Sequence, residues 1–184
     1  MNNRKSTRLK GFDYGGEASY FITINTANRL ESLGKIQDGK VILSQWGKIA
    51  KDEWLKTAEI RNNVTLDSWV IMPNHLHGII IIGTPVIPFN REATQMQAAN
   101  SEASKFASPS GTVGAIVRGF KAACTTKIRI EGNSEFGWQR NYHDRIIRNQ
   151  QELSNIQNYI NNNPTNWKDD NYNWEAEEVD QYHL

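Results

Sequence analysis

Four consecutive isoleucines at positions 79–82 end an apolar run that opens with Ser68-Trp69-Val70-Ile71 and continues through Met72-Pro73-Asn74-His75-Leu76-His77-Gly78. β-Branched residues at that density predict a strand more firmly than any other stretch of the chain. Alternate side chains of a strand share a face, so His75 and His77 point one way and Leu76 the other, toward a core. Two imidazoles on one sheet face suit two roles: paired nitrogen ligands for a metal ion, or hydrogen-bonding histidines with no ligand at all. Imidazole serves zinc, manganese, nickel or iron readily, and magnesium only with added oxygen ligands.

The flanking segments predict an antiparallel α+β domain of ferredoxin-like type, a sheet with helices packed on it. Residues 19–26 alternate as a strand. Residues 34–36 and 40–43 flank Gln37-Asp38-Gly39, a hairpin signal. Ser44 can cap a helix over 45–60, where Trp46, Ile49, Ala50 and Trp54 recur at helical spacing. Residues 64–71 and 75–82 form two further strands. Pro73 removes a ladder donor between them, which predicts a bulge or a tight connection. A second helix over 112–129 turns Val113, Ile116, Val117, Phe120, Ala123 and Cys124 inward and Arg118, Lys121 and Lys127 outward. Residues 138–148 read as a loop and short strand. Asn149 with Glu152 then caps a last helix, which runs to Asn163 before Pro164.

A chain of 184 residues suits one domain, over 1–166, with a polar, flexible insertion at 84–111 and an acidic tail at 167–184. A single cysteine, Cys124, excludes an internal disulfide and a cysteine metal cluster. No stretch approaches the roughly 18 apolar residues of a membrane span. The basic N-terminus lacks the apolar segment of a secretory signal, and the expectation is a cytoplasmic protein. The net charge of +1 conceals an asymmetry. Asp169, Asp170, Glu175, Glu177, Glu178 and Asp180 face one basic residue, Lys168, after position 165. That leaves 20 basic and 14 acidic side chains in residues 1–164. Such an excess suits a nucleic-acid partner and equally an ordinary solvated surface.

The last helix carries an apolar stripe of Leu153, Ile156 and Ile160. Tyr159 and Asn163, at i and i+4, share a face of it. Tyr159 beside Ile156 reads either as a core tyrosine or as a nucleophile. Asn163 reads as a helix-terminal residue or as an oxygen ligand. Tyr142 is a rival nucleophile without a polar i+4 partner of the right kind, and His143 is a substrate contact or a solvated loop histidine.

The strings Met72-Pro73-Asn74-His75-Leu76-His77-Gly78, Trp138-Gln139-Arg140-Asn141-Tyr142-His143-Asp144, Ile147-Arg148-Asn149 and Tyr159-Ile160-Asn161-Asn162-Asn163-Pro164 resemble the single-tyrosine HUH transposases. The similarity is greatest to the branch of REP-associated tyrosine transposases. Gly11-Phe12-Asp13-Tyr14 ahead of Tyr20-Phe21-Ile22-Thr23 matches that branch too, so the resemblance spans nearly all of residues 4–166.

The resemblance implies that His75 and His77 hold a divalent metal, Mg²⁺ or Mn²⁺, with Asn163 as third ligand and Tyr159 as nucleophile. Glutamine fills the Asn163 position in some relatives. It also implies cleavage and rejoining of hairpin-bearing single-stranded DNA through a 5′-phosphotyrosine link, which retains the bond energy and needs no nucleotide cofactor. No phosphate-binding G-x-x-x-x-G-K-[ST] loop occurs in the chain. Some members of the family work as a homodimer with active sites shared between chains, others as monomers. Candidate DNA contacts are Arg4, Lys5, Arg8 and Lys10 in the N-terminal arm, Arg118 and Lys121 on the second helix, and Arg140, Arg145 and Arg148 before the last. The alternatives are a domesticated, non-catalytic hairpin-binding protein on the same scaffold and a replication initiator or relaxase nickase. Pure binding would need neither the histidines nor the tyrosine.

Overall fold

β1 (Ala18–Asn25) lies between β5 (His75–Ile82) and β6 (His143–Ile147), and β4 (Val64–Ile71) completes an antiparallel sheet in the order β4-β5-β1-β6. The computed structural model that gives this arrangement describes residues 17–83 and 111–169. The N-terminal arm with Arg4, Lys5, Arg8 and Lys10 lies outside the described residues. So do the insertion, apart from Gly111, and the tail from position 170. The remaining elements are a separate hairpin of β2 (Gly34–Gln37) and β3 (Lys40–Leu43), and helices α1 (Gln45–Glu59), α2 (Val113–Ile130) and α3 (Gln150–Asn162). Without the hairpin, the order β-α-β-β-α-β and the strand order are ferredoxin-like, as expected from the sequence.

Alternation along the two central strands divides the domain into layers. Tyr20, Ile22 and Ile24 of β1 and Leu76, Ile80 and Ile82 of β5 are buried in one cluster with Trp54 of α1 and Ile116 and Phe120 of α2. Trp54 and Phe120 meet edge to face, with ring centroids 5.3 Å apart. Each fully buried isoleucine contributes about 1.5–3 kcal/mol. Gly78 points into this layer, and a Cβ there would lie 2.6 Å from Trp54 Cζ2. The opposite face carries Phe21, Thr23, Asn25, His75, His77 and Ile79, with α3 lying on it.

Local chemistry explains the boundaries. Asp38 and Gly39 hold left-handed backbone (φ 51° and 68°), as a tight hairpin of right-handed twist requires. Ser44 accepts a hydrogen bond from Gly47 N and starts α1, and Thr112 does the same for α2 through Ala115 N. At α3, Asn149 Oδ1 accepts from Glu152 N at 2.8 Å, while Glu152 reaches back to Arg148 N at 2.9 Å. Of the two outcomes open at Pro73, the tight connection is found, with Met72 N donating to His75 O at 2.8 Å. The irregular register falls instead between Leu66 and Trp69 on β4.

Two expectations are corrected. Lys121, expected to face outward, is half-buried, and its ammonium donates to the carbonyls of Gln139 and Asn141, each at 2.8 Å. Trp167, assigned to the acidic tail, is 8% exposed, and its ring centroid is 6.0 Å from that of His75. The domain therefore continues past position 166.

Candidate active site

His75 and His77 are 0% and 1% exposed, with ring centroids 4.4 Å apart. Each ring is oriented through its Nδ1. That of His75 lies 2.8 Å from Asn74 Oδ1, and that of His77 lies 2.8 Å from Thr23 Oγ1, its register partner on β1. A carboxamide oxygen only accepts, so His75 Nδ1 carries the hydrogen and Nε2 keeps the lone pair. Burial lowers the pKa of both imidazoles, that of His77 to about 3. For His75, burial is reinforced by His77 and then by the Arg29 charge. Both rings are therefore neutral near pH 7 and retain the basic nitrogen that a cation or a proton donor can use.

α3 lays Tyr159 against this pair. Its hydroxyl is 3.1 Å from His77 Nε2, the ring centroids are 5.1 Å apart, and Phe21 meets the Tyr159 ring edge-on at 6.0 Å. The tyrosine is nevertheless 44% exposed. The core-tyrosine reading is corrected on that ground: its ring covers the histidines from the solvent side. Histidines and tyrosine meet within one chain. Asn163 caps the C-terminal end of α3 and is buried.

The metal question turns on donor chemistry. Among the described residues, no group of three or more His, Cys, Asp or Glu side chains could hold a metal ion. The candidate protein donors are the two imidazoles and, from its i+4 position after Tyr159 on α3, the amide of buried Asn163. Asn25 adds a second amide beside His75, its register partner. It is 4% exposed, and its Oδ1 has no hydrogen-bond partner among the described residues. Two neutral imidazoles with carboxamide oxygens suit a borderline divalent ion such as Mn²⁺, and Mg²⁺ where further oxygens come from substrate and water. The residues present fit the group.

Local sequence patterns did not single out Thr23, Asn74, Asn25, Phe21 or Trp167. Asn74 was legible as a polar neighbour of His75. Thr23 and Asn25 needed the β1–β5 register, which no local pattern encodes. The basic candidates are dispersed. Arg118 is exposed on α2, in the layer across the sheet from the histidines, and Arg140 is exposed in the loop before β6. Arg145 pairs with Glu152 at 2.6 Å and ties β6 to the start of α3, where Arg148 is also exposed. Tyr142 packs against the core, with Lys121 Nζ 5.8 Å from its ring centroid. His143 is exposed.

No family model matches the chain. An uncharacterized protein of Haemophilus influenzae is 37% identical over 175 residues, covering 92% of this chain and 93% of that protein. The two belong to one family. Among solved structures, a REP-associated tyrosine transposase bound to a REP hairpin aligns over 100% of this chain and 89% of its own, with a TM-score of 0.54 at 17% identity. The family of the Haemophilus protein therefore has the fold of that transposase. Among the described residues, no helix is long and apolar enough to cross a membrane.

Proposed function

We propose that the chain is a metal-dependent transposase of the single-tyrosine HUH type, which cleaves and rejoins single-stranded DNA through Tyr159. The observation that carries this reading is the placement of a partly exposed tyrosine with its hydroxyl 3.1 Å from Nε2 of a buried, neutral histidine. The fold shared with a transposase bound to a REP hairpin supports hairpin-bearing DNA as the substrate.

His75, His77 and Asn163 are the residues that would hold Mg²⁺ or Mn²⁺. Such an ion supplies charge neutralisation and orientation for a scissile phosphate, and it favours the phenolate over a phenol of pKa about 10. The chain's own contribution is positional. Asn74 and Thr23 fix the two rings, burial keeps them unprotonated, and α3 sets the phenol oxygen beside them. Tyr159 Oη attacks phosphorus and the P–O3′ bond breaks. The phenolic proton is lost to solvent, and the departing 3′ oxygen takes up a proton. The products are a 5′-phosphotyrosine and a free 3′-hydroxyl, whose return attack on the same linkage rejoins the strand.

Incubation with labelled single-stranded hairpin oligonucleotides from the chain's genomic flanks, with Mn²⁺ or Mg²⁺, tests the reading on a denaturing gel. The expected result is a metal-dependent covalent protein–DNA band that is lost in Tyr159→Phe and kept in Tyr142→Phe. Tight binding with no covalent band on these oligonucleotides would replace this reading with a non-catalytic hairpin-binding protein.

A further inference from the structure

The segment Trp138-Gln139-Arg140-Asn141-Tyr142 lies in the loop before β6 and is fastened at several points. Trp138 pairs with Thr26 in a single antiparallel bridge, and its ring meets those of Phe120 and Phe136 at 5.5 and 5.3 Å between centroids. Lys121 Nζ holds the Gln139 and Asn141 carbonyls. Gln139 N donates to Asn25 O at 2.9 Å, and Asn25 Nδ2 donates back to Gln139 Oε1 at 3.3 Å. Gln139 is thus a fixed acceptor for the Asn25 amide.

Asn25 is the register partner of His75 and shares the sheet face of both histidines. β6, with the loop before it, lies on the other side of β1 from β5. The nitrogen of the Asn25 carboxamide is drawn toward Gln139, away from β5, so the oxygen of the same planar group turns the other way. The residue is 4% exposed, and its Oδ1 has no hydrogen-bond partner among the described residues. Buried polar atoms are normally paired, because an unmade bond leaves their desolvation uncompensated. His75 offers no donor to it: the Nδ1 proton goes to Asn74, and Nε2 is an acceptor like the oxygen itself. A carboxamide oxygen and imidazole lone pairs on one dry face are together a set of donors for a cation.

We propose that Asn25 Oδ1 is a further ligand of the cation site, beside His75 and His77, and that Gln139 is its positioning residue. The inference rests on the metal dependence of the proposed function. An oxygen donor added to two imidazoles tilts the site from nitrogen-preferring ions such as Ni²⁺ toward Mn²⁺ and Mg²⁺.

Calorimetric titration of the full chain with Mn²⁺ and, separately, with Ni²⁺ tests the assignment. Asn25→Ala should bind Mn²⁺ at least about tenfold more weakly, the smaller end of what losing even an outer partner of a ligand costs. Its Ni²⁺ affinity should fall less, because both imidazoles remain. Asn25→Asp keeps the oxygen and adds charge, so it should bind Mn²⁺ more tightly than the parent. Gln139→Met removes the acceptor of the Asn25 amide. It should weaken Mn²⁺ binding, with no further loss when added to Asn25→Ala. Parent Mn²⁺ affinity in Asn25→Ala overturns the proposal, and so do equal losses of Mn²⁺ and Ni²⁺, the mark of a structural role. Should Asn25→Ala fail to fold, Asn25→Asp decides, and Mn²⁺ binding no tighter than the parent's overturns the ligand. If Mn²⁺ binding depends on Asn25 but the parent never forms a covalent band on the hairpin oligonucleotides, the cleavage reading fails and the ligand stands. If the metal-dependent band forms while Asn25→Ala keeps the parent's Mn²⁺ affinity, the ligand fails and the cleavage reading stands. A parent that binds no Mn²⁺, alone or with those oligonucleotides, overturns both.

Discussion

Replacing Thr23 by valine removes one hydroxyl from the site and little else. The residue is 3% exposed, its Oγ1 is 2.8 Å from His77 Nδ1, and valine keeps the β-branched shape that β1 prefers. The loss leaves a buried ring nitrogen without its hydroxyl partner, which costs about 1–3 kcal/mol. With a urea m-value of about 2 kcal/mol/M, the unfolding midpoint should fall by roughly 0.5–1.5 M. The same hydroxyl orients the ring. Loss of such a partner costs about 10–100-fold in metal affinity. Calorimetric or EPR titration of parent and Thr23→Val with Mn²⁺, beside urea unfolding, reads both effects, and Thr23→Ser should recover most of each. A Thr23→Val protein that unfolds earlier as expected yet binds Mn²⁺ as tightly as the parent would refute the link between hydroxyl and metal. His77 would then be a core histidine that Thr23 merely satisfies.

Three further outcomes follow from other parts of the structure. For Glu53, burial raises the carboxyl pKa, but hydrogen bonds and charge from Lys127 and Lys56 outweigh it and the net shift is downward from 4.5. Its contribution to stability is therefore present above the unfolded value and lost as pH falls through the lower folded value. Glu53→Gln should flatten that acid limb in thermal melts between about pH 5 and 2, and an unchanged limb would show that the lysines do not act on it. Gly78→Ala forces a methyl group to within 2.6 Å of Trp54 Cζ2. It should cost about 1–3 kcal/mol by overpacking, read as a melting point lower by several degrees; an unaltered melting point would mean that the Trp54 ring yields freely. Tyr159→Phe frees His77 Nε2 of the phenol hydroxyl, so Mn²⁺ affinity should hold or rise by up to about fivefold. A large fall in that titration would count against a lone pair shared between phenol and cation.

Much of the fold was legible because its signals are local. The isoleucine run, Asp38-Gly39, Ser44 before α1 and the Asn149–Glu152 cap each act within a few residues, and each holds in the structure. The pair His75 and His77 was legible by period alone. Partnership across strands was not. Thr23 and Asn25 lie about fifty residues from the histidines they face, and only the β1–β5 register joins them. Lys121 fits a polar helix face by spacing, but Gln139 and Asn141 lie close enough to take its donors, and burial lowers its pKa to about 8. Trp167 was hidden by its neighbours, because an acidic run gives no hint that one aromatic in it turns back onto a histidine.

The contrast between local and long-range ties also suits the placement of the proposed nucleophile on α3. Six residues of α2 are buried, whereas Ile160 is the one buried residue of α3. Its other ties are the Tyr159 ring contacts with Phe21 and His77 and two polar pairs, Glu152 with Arg145 and Gln157 with Asp67 at 2.9 Å. Arg145 is 71% exposed in that pair, and exposed ion pairs contribute only about 0–1 kcal/mol. The histidines, by contrast, stand on a central strand of the sheet, between β1 and β4, and share their burial with the core beneath. A cation site needs such rigidity, because its donors must hold still and dry. A tyrosine that attacks a polymer and later gives the strand back needs the opposite, a surface position and a support that shifts at small cost. A central strand for the proposed ligands and a lightly fastened helix for the proposed nucleophile would meet both demands within one chain.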